Sequence, residues 1–309
     1  MTTWLVTGGA GFIGSHLCDA LIAAGDQVRV LDDLSTGSRA NLPADVALWE
    51  GDVADPLLLD AALDGVAGCF HLAAIASVER GRLDWAETHR VNQTATVALF
   101  DAIRRQGTRI PVVYASSAAV YGDCPIVPIR EDAPCRPLSA YGADKYGCEL
   151  HAHVASHVHG IPTVGLRFFN VYGPRQDPAS PYSGVISIFC ERIRAGHPIT
   201  IYGDGGQTRD FVFVADVVAA LMAAMHTRRV ASQVFNICTG IPTSVLDLAK
   251  LVAALSKTAL EPRFAEPRTG EIRDSLGEPS RARSVLGLGE PTPLRDGLTQ
   301  VLDWMARHR

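Results

Sequence analysis

Tyr141 and Lys145 stand four residues apart in Tyr-Gly-Ala-Asp-Lys, a spacing that puts a phenol and an ammonium on one face of a helix. An ordinary phenol, with a pKa of ~10, is a poor base at neutral pH, and bringing one into that range takes about 4 kcal/mol of extra stabilisation of the phenolate. A neighbouring ammonium supplies part of it, and a second positive charge in a water-poor cleft would supply more. Ser117 ends the run Ile110-Pro-Val-Val-Tyr-Ala-Ser-Ser117 and is placed to hold a substrate hydroxyl while its proton is taken. Alone, Tyr-x-x-x-Lys is more often a helix start with a solvated lysine, so its meaning depends on what else the chain carries.

What it carries is a dinucleotide signature. The apolar run Trp4 to Val6 leads into Thr7-Gly-Gly-Ala-Gly-Phe-Ile-Gly14, which opens a helical stretch. Gly8, Gly11 and Gly14 suit a tight turn, a close approach of backbone to a pyrophosphate, and helix-on-sheet packing, and the N–H groups at Phe12, Ile13 and Gly14 would face the phosphates. A second strand, Gln27 to Leu31, ends in Asp32, 18 residues past Gly14. A carboxylate there accepts from ribose hydroxyls and repels a 2′-phosphate, which favours NAD over NADP. Asp33 is the neighbouring candidate, and Arg39 is the cation that would suit a phosphorylated ribose.

The strand Ala47 to Glu50 runs into Gly51-Asp52-Val53, where Asp52 either bonds the adenine amino group, with Val53 over the ring, or caps the helix beginning at Pro56. After Gly68-Cys-Phe-His-Leu72, the small residues Ala73 and Ala74 either admit the cofactor beside Leu72 or simply pack. Asn92, on a helix expected over Trp85 to Gln106, must satisfy a buried amide with backbone or with cofactor.

Strands and helices alternate as far as Phe169, including a helix over Ala140 to His159 and a strand over Thr163 to Phe169. The expected fold is α/β: a doubly wound parallel sheet over residues 1–169, with 211–238 returning to it, and a smaller substrate domain over 170–309. The chain has 309 residues, 47% hydrophobic and 20% charged, enough for a full core. Its formal net charge of -5 leaves no basic field for nucleic acid or an anionic membrane surface. Seven scattered cysteines without C-x-x-C pairs suit reduced thiols, and no metal is expected. A start without a secretion signal points to the cytosol. His151, His153, His157 and His159 include an i, i+4 pair but no evident third ligand; a polar helix surface or subunit contact is expected.

Taken together, Thr7 to Gly14, Gly51-Asp52, His71-Leu-Ala-Ala74, Ser116-Ser-Ala-Ala-Val-Tyr-Gly122, Tyr141-x-x-x-Lys145, Arg167-Phe-Phe-Asn-Val-Tyr-Gly-Pro174 and Gly203 to Asp210 resemble the extended short-chain dehydrogenase/reductase family. Within it the chain looks most like the nucleotide-sugar 4-epimerases acting on UDP-glucose or UDP-N-acetylglucosamine. The resemblance implies a Rossmann-type NAD domain and a tightly held NAD. Hydride would leave C4 of the sugar while Tyr141 takes the hydroxyl proton, and the 4-keto intermediate would turn over before hydride returns. It implies that Asn170 and Arg209 hold the diphosphate, that Tyr202 lies near the uracil and Phe169 near the nicotinamide, and that Arg268 meets the diphosphate. For Arg209 and Arg268 the alternative is a surface ion pair. A small Ser275 would leave room for a 2-N-acetyl group. It also implies a homodimer through the histidine-bearing helix. Relatives that eliminate water carry an acidic pair after the serine, where this chain has Ala118 and Ala119; galactose-type epimerases carry a lysine where it has Ala76. The alternatives are a 4,6-dehydratase or reductase of the same family, or a noncatalytic dinucleotide-binding regulator.

Overall fold

A computed structural model describes residues 1–177, 184–227, 232–267 and 272–308. In chain order the first half forms β1 (Thr3–Thr7), α1 (Phe12–Ala23), β2 (Gln27–Asp32), β3 (Ala47–Glu50), α2 (Pro56–Leu63), β4 (Gly68–His71), α3 (Val78–Leu83), α4 (Trp85–His89), α5 (Ala95–Arg105), β5 (Val112–Ser117), α6 (Ala140–His159) and β6 (Thr163–Phe168). There follow β7 (Asn170–Tyr172), α7 (Val185–Arg194), β8 (Ile199–Tyr202), β9 (Thr208–Phe213), α8 (Val214–His226), β10 (Gln233–Ile237), β11 (Pro242–Ser244), α9 (Val245–Ser256), β12 (Pro262–Ala265), β13 (Asp274–Ser275), α10 (Ser280–Leu286) and α11 (Leu294–Arg307).

Seven strands make one parallel sheet in the order β10-β6-β5-β4-β1-β2-β3. The chain steps from β1 outward through β2 and β3, then returns to build β4, β5 and β6 on the other side. A crevice therefore opens at the carboxyl ends of β1 and β4. Alternation along β1 assigns the two faces. Trp4 and Val6 join Leu17 and Leu21 of α1 and Val217 and Leu221 of α8, while Leu5 joins Leu59 of α2, Leu99 and Ile103 of α5, and Ala152 of α6. With both faces covered, this is the doubly wound α/β sheet expected.

Much of the rest of the chain builds a second core. β9 pairs with β7, β11 and β13, β8 pairs with β12, and α7, α9 and α11 pack around them through residues such as Phe189, Leu248 and Leu298. The expected return of 211–238 to the main sheet is therefore only partial. α8 packs beside α1, and β10 extends the sheet beside β6, but β9 belongs to the smaller sheet. Phe211 and Phe213 point into the second core and Val212 into the first. The apolar run is buried between two cores, which from sequence looks like burial inside one sheet.

α6 begins where expected, with Ser139 accepting from Gly142 N at 3.0 Å, and ends at Gly160 in the left-handed region, φ +67°. The helix expected over Trp85 to Gln106 is instead α4, a π turn over Arg90–Thr94, and α5.

At the start of α1 two stretches of backbone touch. A Cβ on Gly14 would stand 2.1 Å from the Gly8 carbonyl oxygen. Gly14→Ala must therefore push α1 off β1, and urea denaturation should show a loss of about 1–3 kcal/mol; a variant as stable as the parent would mean that the helix start gives way freely.

Candidate active site

Gly8, at φ +70°, ends β1 with its N–H on the Leu31 carbonyl, 2.9 Å. A Cβ there would stand 2.6 Å from the Ala73 nitrogen, so the turns after β1 and β4 abut through backbone alone. Gly11 precedes α1 and has no side chain to cap it, which leaves the N–H groups of Phe12, Ile13 and Gly14 as the spare donors of a helix start. Asp32 lies beside them, 7% exposed. Its two oxygens accept from Ala10 N and Leu34 N, both at 2.9 Å. Burial raises its pKa, and the two backbone bonds oppose that shift. A carboxylate offers about four lone-pair sites, so acceptor capacity for two ribose hydroxyls remains. Asp33 instead holds the N–H and hydroxyl of Ser35, at 2.9 and 2.6 Å. Arg39 points its guanidinium at the carbonyls of Ala44 and Val46, at 3.0 and 3.2 Å, which ties it to its own loop rather than to a 2′-phosphate. A backbone cradle, a helix start and a ribose-height carboxylate fit an NAD.

Two other residues expected at the cofactor have partners within the protein. Asp52 does not cap α2: Asp55 does, accepting from Leu57 N at 2.9 Å and Leu58 N at 3.2 Å. Asp52 has one oxygen on Ala54 N at 2.8 Å and the other on Arg90 at 2.6 Å, so an adenine contact would compete with an ion pair. Val53 is buried in the core beneath α2. Asn92 settles its amide on backbone: Oδ1 accepts from Ile75 N at 2.8 Å, and Nδ2 donates to Ile75 O at 3.2 Å. It shapes the loop after Leu72, Ala73 and Ala74.

The phenol and ammonium sit at the same sheet edge. Gly142 lets the first turn of α6 press on the turn after Ser117, since a Cβ there would stand 2.6 Å from Ala119 O. Ser117, at the carboxyl end of β5, accepts from Ala119 N at 3.1 Å. Lys145 is 5% exposed, its Nζ 3.0 Å from Ala115 O and 5.9 Å from the Tyr141 ring centre. Tyr141 itself is half-buried.

In the smaller sheet, β9 and β13 bring Arg209 and Ser275 into register, though 66 residues separate them. Arg209 Nη1 is 2.7 Å from Thr208 O and 3.3 Å from Arg273 O. Asn170 is exposed at the start of β7, and Tyr202 closes β8, half-buried. Phe169 is buried against Gly277, where a Cβ would stand 2.7 Å from its ring. Arg268 lies outside the described residues. Sequence reasoning gave no role to Asp210, the last residue of the Gly203 to Asp210 motif, which is fully buried and accepts from Thr239 N, Thr239 Oγ1, Gly240 N and Gly277 N at 2.7–3.3 Å. Of the histidine cluster, His153 and His157 stack at 6.0 Å, and His153 meets Ser232 at 2.9 Å. Among the described residues no three His, Cys, Asp or Glu converge as metal ligands.

A buried histidine underlies the cradle. Thr96 Oγ1 donates to Asn92 O at 2.6 Å and so accepts from His71 Nε2–H at 3.0 Å, while Thr7 donates to His71 Nδ1 at 2.8 Å. The ring is neutral. Burial, reinforced by the charge of Lys145, pushes its pKa down to about 3 from the ordinary 6.5. Between those values the unfolded chain binds a proton that the folded one does not, so stability is lost as pH falls below 6.5. Urea denaturation should show a loss of about 2 kcal/mol between pH 6.5 and 5 that His71→Gln lacks; an equal pH slope in that variant would assign the loss elsewhere.

The model of the NAD dependent epimerase/dehydratase family matches residues 4–238. The chain is 39% identical over 306 residues to a UDP-glucose 4-epimerase of Mycolicibacterium smegmatis, covering 97% of each chain. Among solved structures it is similar to UDP-glucose 4-epimerase of Thermotoga maritima with UDP-glucose, at TM-score 0.95 and 35% identity over 99% of both chains. It is also similar to UDP-N-acetylglucosamine 4-epimerase of Methanobrevibacter ruminantium in complex with UDP-N-acetylmuramic acid, at TM-score 0.94 and 32% identity, covering 100% of this chain and 99% of that one. The chain belongs to the NAD dependent epimerase/dehydratase family.

Proposed function

We propose that the protein is an NAD-dependent UDP-hexose 4-epimerase that interconverts UDP-glucose and UDP-galactose and admits their N-acetylated counterparts. The observation that carries this reading is the meeting of Tyr141, Lys145 and Ser117 at the edge of the dinucleotide crevice, with Ala118 and Ala119 in the very next turn. Loss of water across C5 and C6 needs an acid and a base there, and neither alanine can act as one. Similarity to epimerases of both UDP-glucose and UDP-N-acetylglucosamine supports it.

Bound NAD would supply the hydride acceptor and donor. Residues 1–169, joined by α8 and β10, would hold it through Gly8, Gly11, Phe12 to Gly14, Asp32 and the Leu72 to Ala74 edge, with Phe169 beside the nicotinamide. Tyr141 takes the proton of the C4 hydroxyl, Ser117 orients that hydroxyl, and Lys145 supports the phenolate. The proton stays on Tyr141 and goes back to the C4 oxygen, so none is released over a turnover. Within 170–309, Asn170, Arg209 and Arg268 would hold the diphosphate and Tyr202 the uracil, while the short side chain of Ser275 leaves the C2 substituent unobstructed. Arginine suits a diphosphate because its planar fork donates two parallel bonds.

No helix among the described residues is long and apolar enough to cross a membrane. We place the protein in the cytosol, where seven free thiols stay reduced. We also propose a homodimer. Leu150, Val154 and Val158 repeat every four residues along α6 and are 53%, 47% and 64% exposed, beside a groove lined by Val97 and Phe100 of α5.

Incubation with UDP-glucose and with UDP-N-acetylglucosamine should yield the C4 epimer of each, and Tyr141→Phe should lower turnover by about 10²–10⁴-fold. If neither C4 epimer forms, the reading is wrong. Light scattering should give twice the 33.0 kDa chain mass, falling to one chain in Val154→Asp; an unaltered mass would place the contact on another face.

A further inference from the structure

Glu149 continues the face of α6 that carries Tyr141 and Lys145, at i, i+4 and i+8, into the interior. Its side chain is 7% exposed, and that of its partner Arg167, on β6, is 4% exposed. All five N–H donors of Arg167 have acceptors. Nε and Nη2 hold the two Glu149 oxygens at 2.8 and 2.7 Å, and Nη2 also reaches Cys135 Sγ at 3.4 Å. Nη1 reaches the Tyr121 hydroxyl at 2.7 Å and Glu131 O at 3.1 Å. Ser116, next to Ser117, donates to Glu149. Tyr121 donates onward to Asn236 Oδ1 at 2.6 Å, and Asn236 Nδ2 holds the Ile129 carbonyl at 2.9 Å. Ile129 is clamped in turn to the segment after Ser275: its N–H donates to Leu276 O at 2.8 Å, and its carbonyl accepts from Glu278 N at 2.9 Å.

We propose that Arg167 and Glu149 are positioning residues: their ion pair fixes the catalytic helix relative to the segment Ser275–Glu278, whose Ser275 would line the sugar pocket, and Tyr121 and Asn236 carry that setting across. The proposal rests on the UDP-sugar reading for the role of Ser275, while the linkage itself does not. Stability alone is a poor reason for the pair, since apolar residues of similar volume commonly replace a buried ion pair without loss. A planar guanidinium that holds both carboxylate oxygens and a phenol hydroxyl fixes a geometry that a point charge or an apolar side chain does not. The pair ties α6, the end of β5, β6, the loop from Tyr121 to Pro137 and β10 into one frame behind the cleft.

Tyr121→Phe is the sharpest test, because it keeps the ring beneath Arg167, 4.7 Å from the guanidinium carbon, and removes only the linking hydroxyl. Amide hydrogen exchange at Ile129 and Glu278 should quicken about tenfold, the factor one such hydrogen bond carries, while Leu5 and Val6 in β1 keep their rates. KM for UDP-glucose should rise about tenfold with kcat within about twofold. Arg167→Lys, which keeps the charge but not the fork, should move both readouts the same way. Unchanged exchange at Ile129 and Glu278, or equal quickening in β1, would overturn the linkage. A quickened exchange with KM unmoved, or a fall in kcat alone, would overturn its connection to the sugar. Because exchange needs no substrate, it decides the linkage even if the unaltered protein epimerises neither UDP-sugar.

Discussion

Backbone meets backbone at the points on which this structure turns. A side chain on Gly8 would strike Ala73, one on Gly14 would strike Gly8, and one on Gly142 would strike the carbonyl of Ala119. The first two contacts bring β1, α1 and the end of β4 close enough for bare N–H groups to line a crevice. The third brings the helix with Tyr141 and Lys145 onto the turn that carries Ser117. Were these contacts mediated by side chains, each element would stand off by an atom or more, and donors, carboxylate and phenol would face no common space.

Around that space several buried polar and charged groups have partners. Asp210 collects four donors, Lys145 reaches a carbonyl, His71 is neutral between two hydroxyls, and Arg167 and Glu149 satisfy one another. Removing one member of a buried pair costs about 3–5 kcal/mol, because the other is left without a partner. Such groups give a cleft lined with polar atoms few ways to rearrange. This suits a reaction in which a flat intermediate must turn over while its surroundings stay put.

Much of this was legible in the sequence, because it is local. The strand-glycine-helix unit, Asp32 at the next strand's end, and both ends of α6 follow from residues within a turn or two of one another. What escaped depends on distant partners. Asn92 is bonded to Ile75, 17 residues back, and Asp52 is paired with Arg90, 38 residues on. Arg39 was drawn to its own loop. Phe211 to Phe213 reads as a strand of the main sheet because burial by two cores leaves the same apolar run as burial within one. The frame behind the cleft joins Tyr121 to Asn236 across 115 residues, and the only local hint was Glu149 in step with Tyr141 and Lys145.

The π turn at Arg90–Thr94 makes helix length a matter of register. Such a turn carries one residue more than an α-helical path, and each residue of an α-helix turns the next by about 100° around the axis. Asn92 faces Ile75 from within that turn, and Thr96, just beyond it, faces His71. The same number of residues wound straight on as α-helix, with the apolar content intact, would turn Thr96 by about 100° away from His71. The π turn takes up that extra residue, so the helix beyond it keeps the face it presents to His71 while Asn92 holds Ile75 from within the turn.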